Sequence, residues 1–143
     1  MDLFHGLWHL VDVNFYNVNN EIVKLYGESP RGMILYDAQG RVTVQIMQRD
    51  RPPLPKTRTA ENALADYVTI LRGYVAYFGT YDVDETARTV THHLEGSLIP
   101  DWVGTDLVRQ YEFADDNQKL ILTTAPSALR GATLRGEIIW RRV

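Results

Sequence analysis

Along most of the chain apolar and polar residues alternate, the two-residue period of strands with one buried face. The pattern predicts strands at Leu7–Tyr16, Glu21–Tyr26, Gly32–Asp37, Arg41–Gln48, Gly73–Val83, Thr89–Leu98, Thr105–Ala114, Lys119–Thr124 and Leu134–Arg142. Turn chemistry separates them: Asp37-Ala38-Gln39-Gly40 ends in a glycine suited to positive φ, and Asp115-Asp116-Asn117 is a polar tip. One segment departs from the period. Arg51-Pro52-Pro53-Leu54-Pro55 cannot be a central strand, because proline supplies no ladder donor. Thr59 then caps a helix running through Leu71, with Gly73 at its end. Leu64, Tyr67, Val68 and Leu71 recur at helical spacing and are expected to pack into the core. Short strands around a single helix predict an all-β antiparallel barrel or sandwich.

Strand pairing assigns the faces. A hairpin of Thr89–Leu98 with Thr105–Ala114 sets Val90 opposite Phe113, His92 opposite Tyr111, Leu94 opposite Arg109 and Leu98 opposite Thr105. Its other face collects Thr91, His93, Glu95, Gln110 and Glu112, which is polar and expected to meet water. The preceding hairpin, turning at Asp84–Ala87, puts Val90 by Tyr81, His92 by Gly79 and Leu94 by Tyr77. Both hairpins therefore send His92 inwards, with Val75, Leu107 and Arg109 on the same side. The Gly40 hairpin adds Ile34, Tyr36, Val42, Val44, Ile46 and Gln48. A bulge reverses these assignments beyond its position. Tyr74 and Phe78 point outwards, so a cover is expected there, either the helix or a second subunit in a homodimer.

The 143 residues, 45% of them hydrophobic, suffice for one domain (1–143) with a sizeable core. A formal charge of -3 without a basic run argues against nucleic acid as a partner. The absence of cysteine removes disulfides, thiolate metal sites and a cysteine nucleophile. No apolar run approaches the ~20 residues of a membrane helix, and MDLFHGLWHL has no signal-peptide form, so a cytoplasmic protein without membrane association is expected.

Candidate chemistry lies on the inward face. His92 is suited to proton transfer near neutral pH, while Arg109 and the Tyr111 hydroxyl can stabilise a developing oxyanion. Tyr36, Gln48, Tyr77, Gly79, Tyr81, Leu94 and Phe113 would line the ligand space, with Trp102 as a lid or end cap. The structural alternative is that the polar members satisfy one another in a buried network. His93 and Glu95 share the outer face, where a solvated pair is expected in preference to a dyad. No metal site is expected, since His5 and His9 lie on a distant segment and no third ligand converges. No cofactor is expected: serine-nucleophile and phosphate-loop motifs are absent.

Gly6-Leu7-Trp8 resembles the Gly-x-Trp element of lipocalins, whose tryptophan closes the barrel base beneath a late-strand arginine, here Arg141 or Arg142. RPPLP, GYVAYFGTYDV and THHLEGSLIPDWVGTDLVRQYEF are similar to the small lipocalin-like domain family of bacterial and fungal proteins. That resemblance implies a compact antiparallel β-barrel with an internal ligand cavity. It also implies a setting in secondary metabolism, where distantly similar barrels include carriers as well as cofactor-free cyclases and isomerases. The mid-chain helix and the lack of cysteines and a signal peptide set the chain apart from extracellular lipocalins. The expected function is binding of a small hydrophobic or aromatic metabolite with acid/base catalysis of isomerisation, cyclisation or dehydration. The alternatives are a non-catalytic carrier and a partner-binding domain with a filled barrel.

Overall fold

The computed structural model describes residues 2–57 and 59–143. Its strands are β1 (Gly6–Tyr16), β2 (Ile22–Val23), β3 (Arg31–Tyr36), β4 (Arg41–Met47), β5 (Tyr74–Asp84), β6 (Thr89–Ser97), β7 (Asp106–Ala114), β8 (Lys119–Thr123), β9 (Ser127–Leu129) and β10 (Ala132–Arg142). Helix α1 (Ala60–Arg72) separates β4 from β5, and a 3₁₀ turn (Pro100–Trp102) separates β6 from β7. Eight strands run β1-β3-β4-β5-β6-β7-β8-β10 and close through the β1–β10 pairing into an antiparallel barrel. Closure pairs both sides of each of the eight barrel strands, whose outer edges an open sheet of this size would leave exposed. The short strands β2 and β9 are appended to β1 and β10.

Local chemistry sets the turns. Asp37 Oδ1 accepts from the amides of Gln39 and Arg41, and Gly40 takes the left-handed conformation at φ 82°. Asp115, Asp116 and Asn117 are all left-handed, at φ 52°, 52° and 65°, an arrangement that short polar side chains tolerate better than β-branched ones.

Four details differ from the sequence reading. Only Ile22 and Val23 of the expected Glu21–Tyr26 strand pair with β1; the chain then turns through Lys24–Gly27, closed by the Gly27 amide on the Lys24 carbonyl. In the β6–β7 hairpin His92 faces Leu107 and Val90 faces Arg109, a shift of four residues. The loop from Leu94 to Thr105 holds its own hydrogen bonds, including Gly104 N to Leu94 O at 2.8 Å, so pairing starts further from the tip. Because the shift is even, the inward set is unchanged.

In the β5–β6 hairpin Tyr81 faces His92 and Gly79 faces Leu94, so Gly79 does not sit opposite the histidine. A bulge follows: Phe78 pairs with Gly96, leaving Glu95 as the extra residue. A Cβ on Gly79 would overlap the His93 carbonyl, so the strands' close approach, not room for a ligand, explains that glycine. The aromatic ring of Phe78 lies over Gly96 on the outer surface, half-exposed and uncovered by the helix.

The helix is the fourth correction. Thr59 caps it as expected, accepting from the Asn62 amide at 3.3 Å. Yet its expected core stripe faces outwards: Leu64 is 72% exposed and Tyr67 54%, while Ala63, Asp66 and Ile70 form the half-buried side. What holds α1 is its C-terminal end. Arg51 donates to the Ile70 carbonyl at 3.2 Å and Arg130 to the Arg72 carbonyl at 2.7 Å, cations on the negative end of the helix dipole. Of the two outward β5 aromatics expected to be covered, half-buried Tyr74 has the Arg51 guanidinium 5.5 Å from its ring centre, whereas Phe78 stays half-exposed.

Candidate functional site

The barrel interior is built in three layers. The lowest is an aromatic plug at the end where the chain begins. Phe4 sits at its centre in edge-to-face contact with Tyr36, Tyr111 and Phe113, at centroid distances of 5.2, 4.9 and 5.0 Å. Trp8 is fully buried beside it and donates to the Phe4 carbonyl at 2.9 Å. Arg142 closes the layer from outside. Its guanidinium lies 4.1 Å from the Trp8 ring and donates to the carbonyls of His5 and Leu3 at 3.0 and 2.8 Å. Of the two arginines offered for that position Arg142 fills it; Arg141 turns outwards to Asp115.

The middle layer is His92. The β5–β6 register aims it inwards from the barrel wall, where it is completely buried. Its Nε2 lies 2.7 Å from the Tyr36 hydroxyl and its Nδ1 2.8 Å from the Tyr77 hydroxyl. Burial, reinforced by the charge of Arg109 and then of His93, lowers its pKa from 6.5 to about 3, so it is neutral. Neutral imidazole has one donor and one acceptor. Tyr36 is fully buried, and His92 is the only partner of its hydroxyl among the described residues. Its proton therefore goes to Nε2, placing the ring proton on Nδ1, where it donates to the Tyr77 oxygen. The Tyr77 hydroxyl proton is left free for a further acceptor. Burial pushes Tyr77 up to about 12, against the nearby Arg109 charge, so that proton is held and not released.

The upper layer is a cavity of about 470 Å³, within the usual range for small-molecule sites. Its wall is mainly apolar: Val44, Ile46, Val75, Leu122, Ile138 and Trp140 from the strands, with Phe15 and Tyr26 among the aromatic lining. Tyr77 and Arg109 supply polar groups, Trp102 comes from the 3₁₀ turn, and the β8–β9 connection brings Ala125 to Leu129 to its rim. His92 does not line it; Tyr77 stands between. Among the described residues the fully buried Trp140 Nε1 has no hydrogen-bond partner.

The structure thus gathers part of the expected site and disperses the rest. Tyr77, Arg109 and Trp102 line the cavity. Tyr36 belongs to the layer beneath, bonded to His92, and Leu94 is core. Tyr111, Tyr81 and Phe113 lie in or beside the aromatic plug, with Tyr81 bonded to Asp2, because the shifted β6–β7 register moves Tyr111 away from His92. Gln48 packs under Gly27 and Gly73 outside the cavity.

On the outer face His93 bridges Asp106 and Asp82, both at 2.7 Å, and these partners raise its pKa; Glu95 pairs with Arg41 at 2.8 Å instead. Trp140, Val13 and Phe15 complete the cavity without having been singled out from the sequence. Their signal was the alternation in β1 and β10, which only the closing pair of those strands turns into an inside and an outside.

Among the described residues no helix is long and apolar enough to cross a membrane. The chain is 26% identical over 108 residues to the 4'-hydroxy-3'-methoxypropiophenone carrier protein ppsC of Aspergillus oryzae (strain ATCC 42149 / RIB 40), covering 71% of this chain and 96% of that protein. A family model described as a lipocalin-like domain matches residues 5–143. With the closed eight-stranded barrel, the tryptophan-arginine base and the cavity above it, the chain belongs to the lipocalin-like domain family.

Proposed function

We propose that this barrel binds a small hydrophobic or aromatic metabolite and carries it without converting it. The observation that carries this reading is the apolar cavity of about 470 Å³ with the buried His92 sealed beneath it. Both nitrogens of His92 are occupied by tyrosines, and its lowered pKa leaves it a poor proton acceptor near neutrality. The ppsC likeness supports the same reading, since that protein is named as the carrier of an aryl ketone.

The test is a titration with 4'-hydroxy-3'-methoxypropiophenone and related aryl ketones, following the fluorescence of Trp102 and Trp140 at the cavity. Saturable quenching is expected, with the ligand recovered chemically unchanged. Ile46→Trp, which fills the cavity, should abolish the quenching while the barrel still unfolds cooperatively. Binding that survives this substitution would overturn the placement of the ligand.

Turnover in secondary metabolism, by isomerisation, cyclisation or dehydration, is the competing reading. One observation favours it: the Tyr77 hydroxyl and the Arg109 guanidinium share one wall, a suitable pair for an enolate oxygen. Chromatographic separation with NMR of the recovered ligand decides, because a new product that disappears in Arg109→Met would replace carriage with catalysis.

A further inference from the structure

The polarity of the cavity goes further than its volume. Among the described residues Arg109 has no carboxylate within 4.0 Å; its one hydrogen bond is a long 3.4 Å contact to the Val108 carbonyl. Asp106, the acidic residue at the same wall, is turned to His93 on the outer face. Arg109 is thus a half-buried cation without a counter-charge beside an apolar space, an arrangement that costs stability unless a partner arrives.

Two further donors belong to residues that line that space. Trp140 Nε1 is buried and unpartnered, and indole nitrogen only donates. The Tyr77 hydroxyl receives the His92 ring proton at its oxygen, so its own proton remains to be given. Thr124, the neighbouring hydroxyl, already accepts the Gly136 amide at 2.7 Å. The cavity therefore offers a cation with neutral donors beside it, while the carboxylate at its wall, Asp106, is engaged by His93.

Resting on the binding reading above, we infer that the cavity selects an aromatic ligand carrying an anionic oxygen, held by Arg109, with Tyr77 and Trp140 donating to the same or a second oxygen. The aromatic part meets Phe15, Tyr26, Trp102 and the aliphatic wall. The His92–Tyr36 pair beneath acts as a positioning device, fixing the direction of the Tyr77 proton.

Three probes of one shape test this by calorimetry: 2-naphthoate, 2-acetonaphthone and naphthalene. Affinity is expected to fall in that order. Arg109→Met keeps the stem but removes the charge; it should weaken 2-naphthoate about tenfold or more and leave the ketone within about threefold. Trp140→Phe should weaken both oxygen-bearing probes and spare naphthalene. If naphthalene binds as tightly as 2-naphthoate, or Arg109→Met leaves the affinity for 2-naphthoate unchanged, the inference fails while the binding function stands. If none of the three binds, the binding function itself is overturned. Cooperative unfolding of each variant shows that a loss of affinity is not a loss of fold.

Discussion

Buried with both ring nitrogens occupied, His92 is more valuable neutral than charged, and this has a consequence for stability. Its folded pKa of about 3 lies below the 6.5 of the unfolded chain. Between those two values the unfolded state binds a proton that the folded state refuses, so stability falls as the pH falls. The loss grows as the pH falls below 6.5 and levels off once the folded state also takes up the proton, near pH 3. His92→Gln cannot titrate. It should be less stable near neutrality but show an acid limb shallower by about one proton in urea unfolding followed across that range; an unchanged slope would contradict a neutral His92. His93 runs the other way. Its raised pKa adds stability below 6.5 that is lost as pH rises through the folded value, and its exposure beside two solvated aspartates keeps that contribution small. Sequence parity separated the two histidines correctly, one inside and one outside. It could not see Tyr36 approaching from a strand 56 residues away.

At the scale of elements, two positions carry a weight opposite to the one their residue type suggests. Gly79 sits mid-strand where β5 and β6 come unusually close at the bulge, and a Cβ there meets backbone that cannot step aside. Gly79→Ala should cost about 3 kcal/mol by thermal or urea unfolding, the upper end of the usual range for overpacking. Leu64 looks like a core residue by its spacing, yet it is 72% exposed. Leu64→Ala should change stability by less than about 0.5 kcal/mol, as surface substitutions do. A large cost at Leu64 together with a small one at Gly79 would mean that the helix packs differently from the arrangement described. Helical periodicity identified an amphipathic helix but not the direction of its apolar side. That direction follows from Arg51 and Arg130, which clamp the helix end from segments distant in sequence.

For the whole molecule, the base of the barrel is where first and last strands are locked together. Arg142 joins them by stacking on Trp8 and donating to two carbonyls of the N-terminal segment. Arg142→Ala should destabilise by about 2 kcal/mol, combining a cation–π contact with charge-assisted hydrogen bonds. Arg142→Lys should recover only part of that, since an ammonium lacks the planar fork. Full rescue by lysine in denaturant unfolding would show that charge alone matters there.

The order of strands, the helix, the turns and the inward parity of His92 and Arg109 are local properties, carried by two-residue and 3.6-residue periods and by turn-forming residues. The sequence by itself therefore determined the fold class and the composition of each strand face. Which inward residues meet was decided only by the tertiary structure. A four-residue shift in one hairpin sends Tyr111 to the plug and Leu107 opposite His92. The closure of β1 on β10 adds Trp140 to the cavity wall. The physical reason is that strand alternation is insensitive to an even change of register, whereas the distance between two side chains is not.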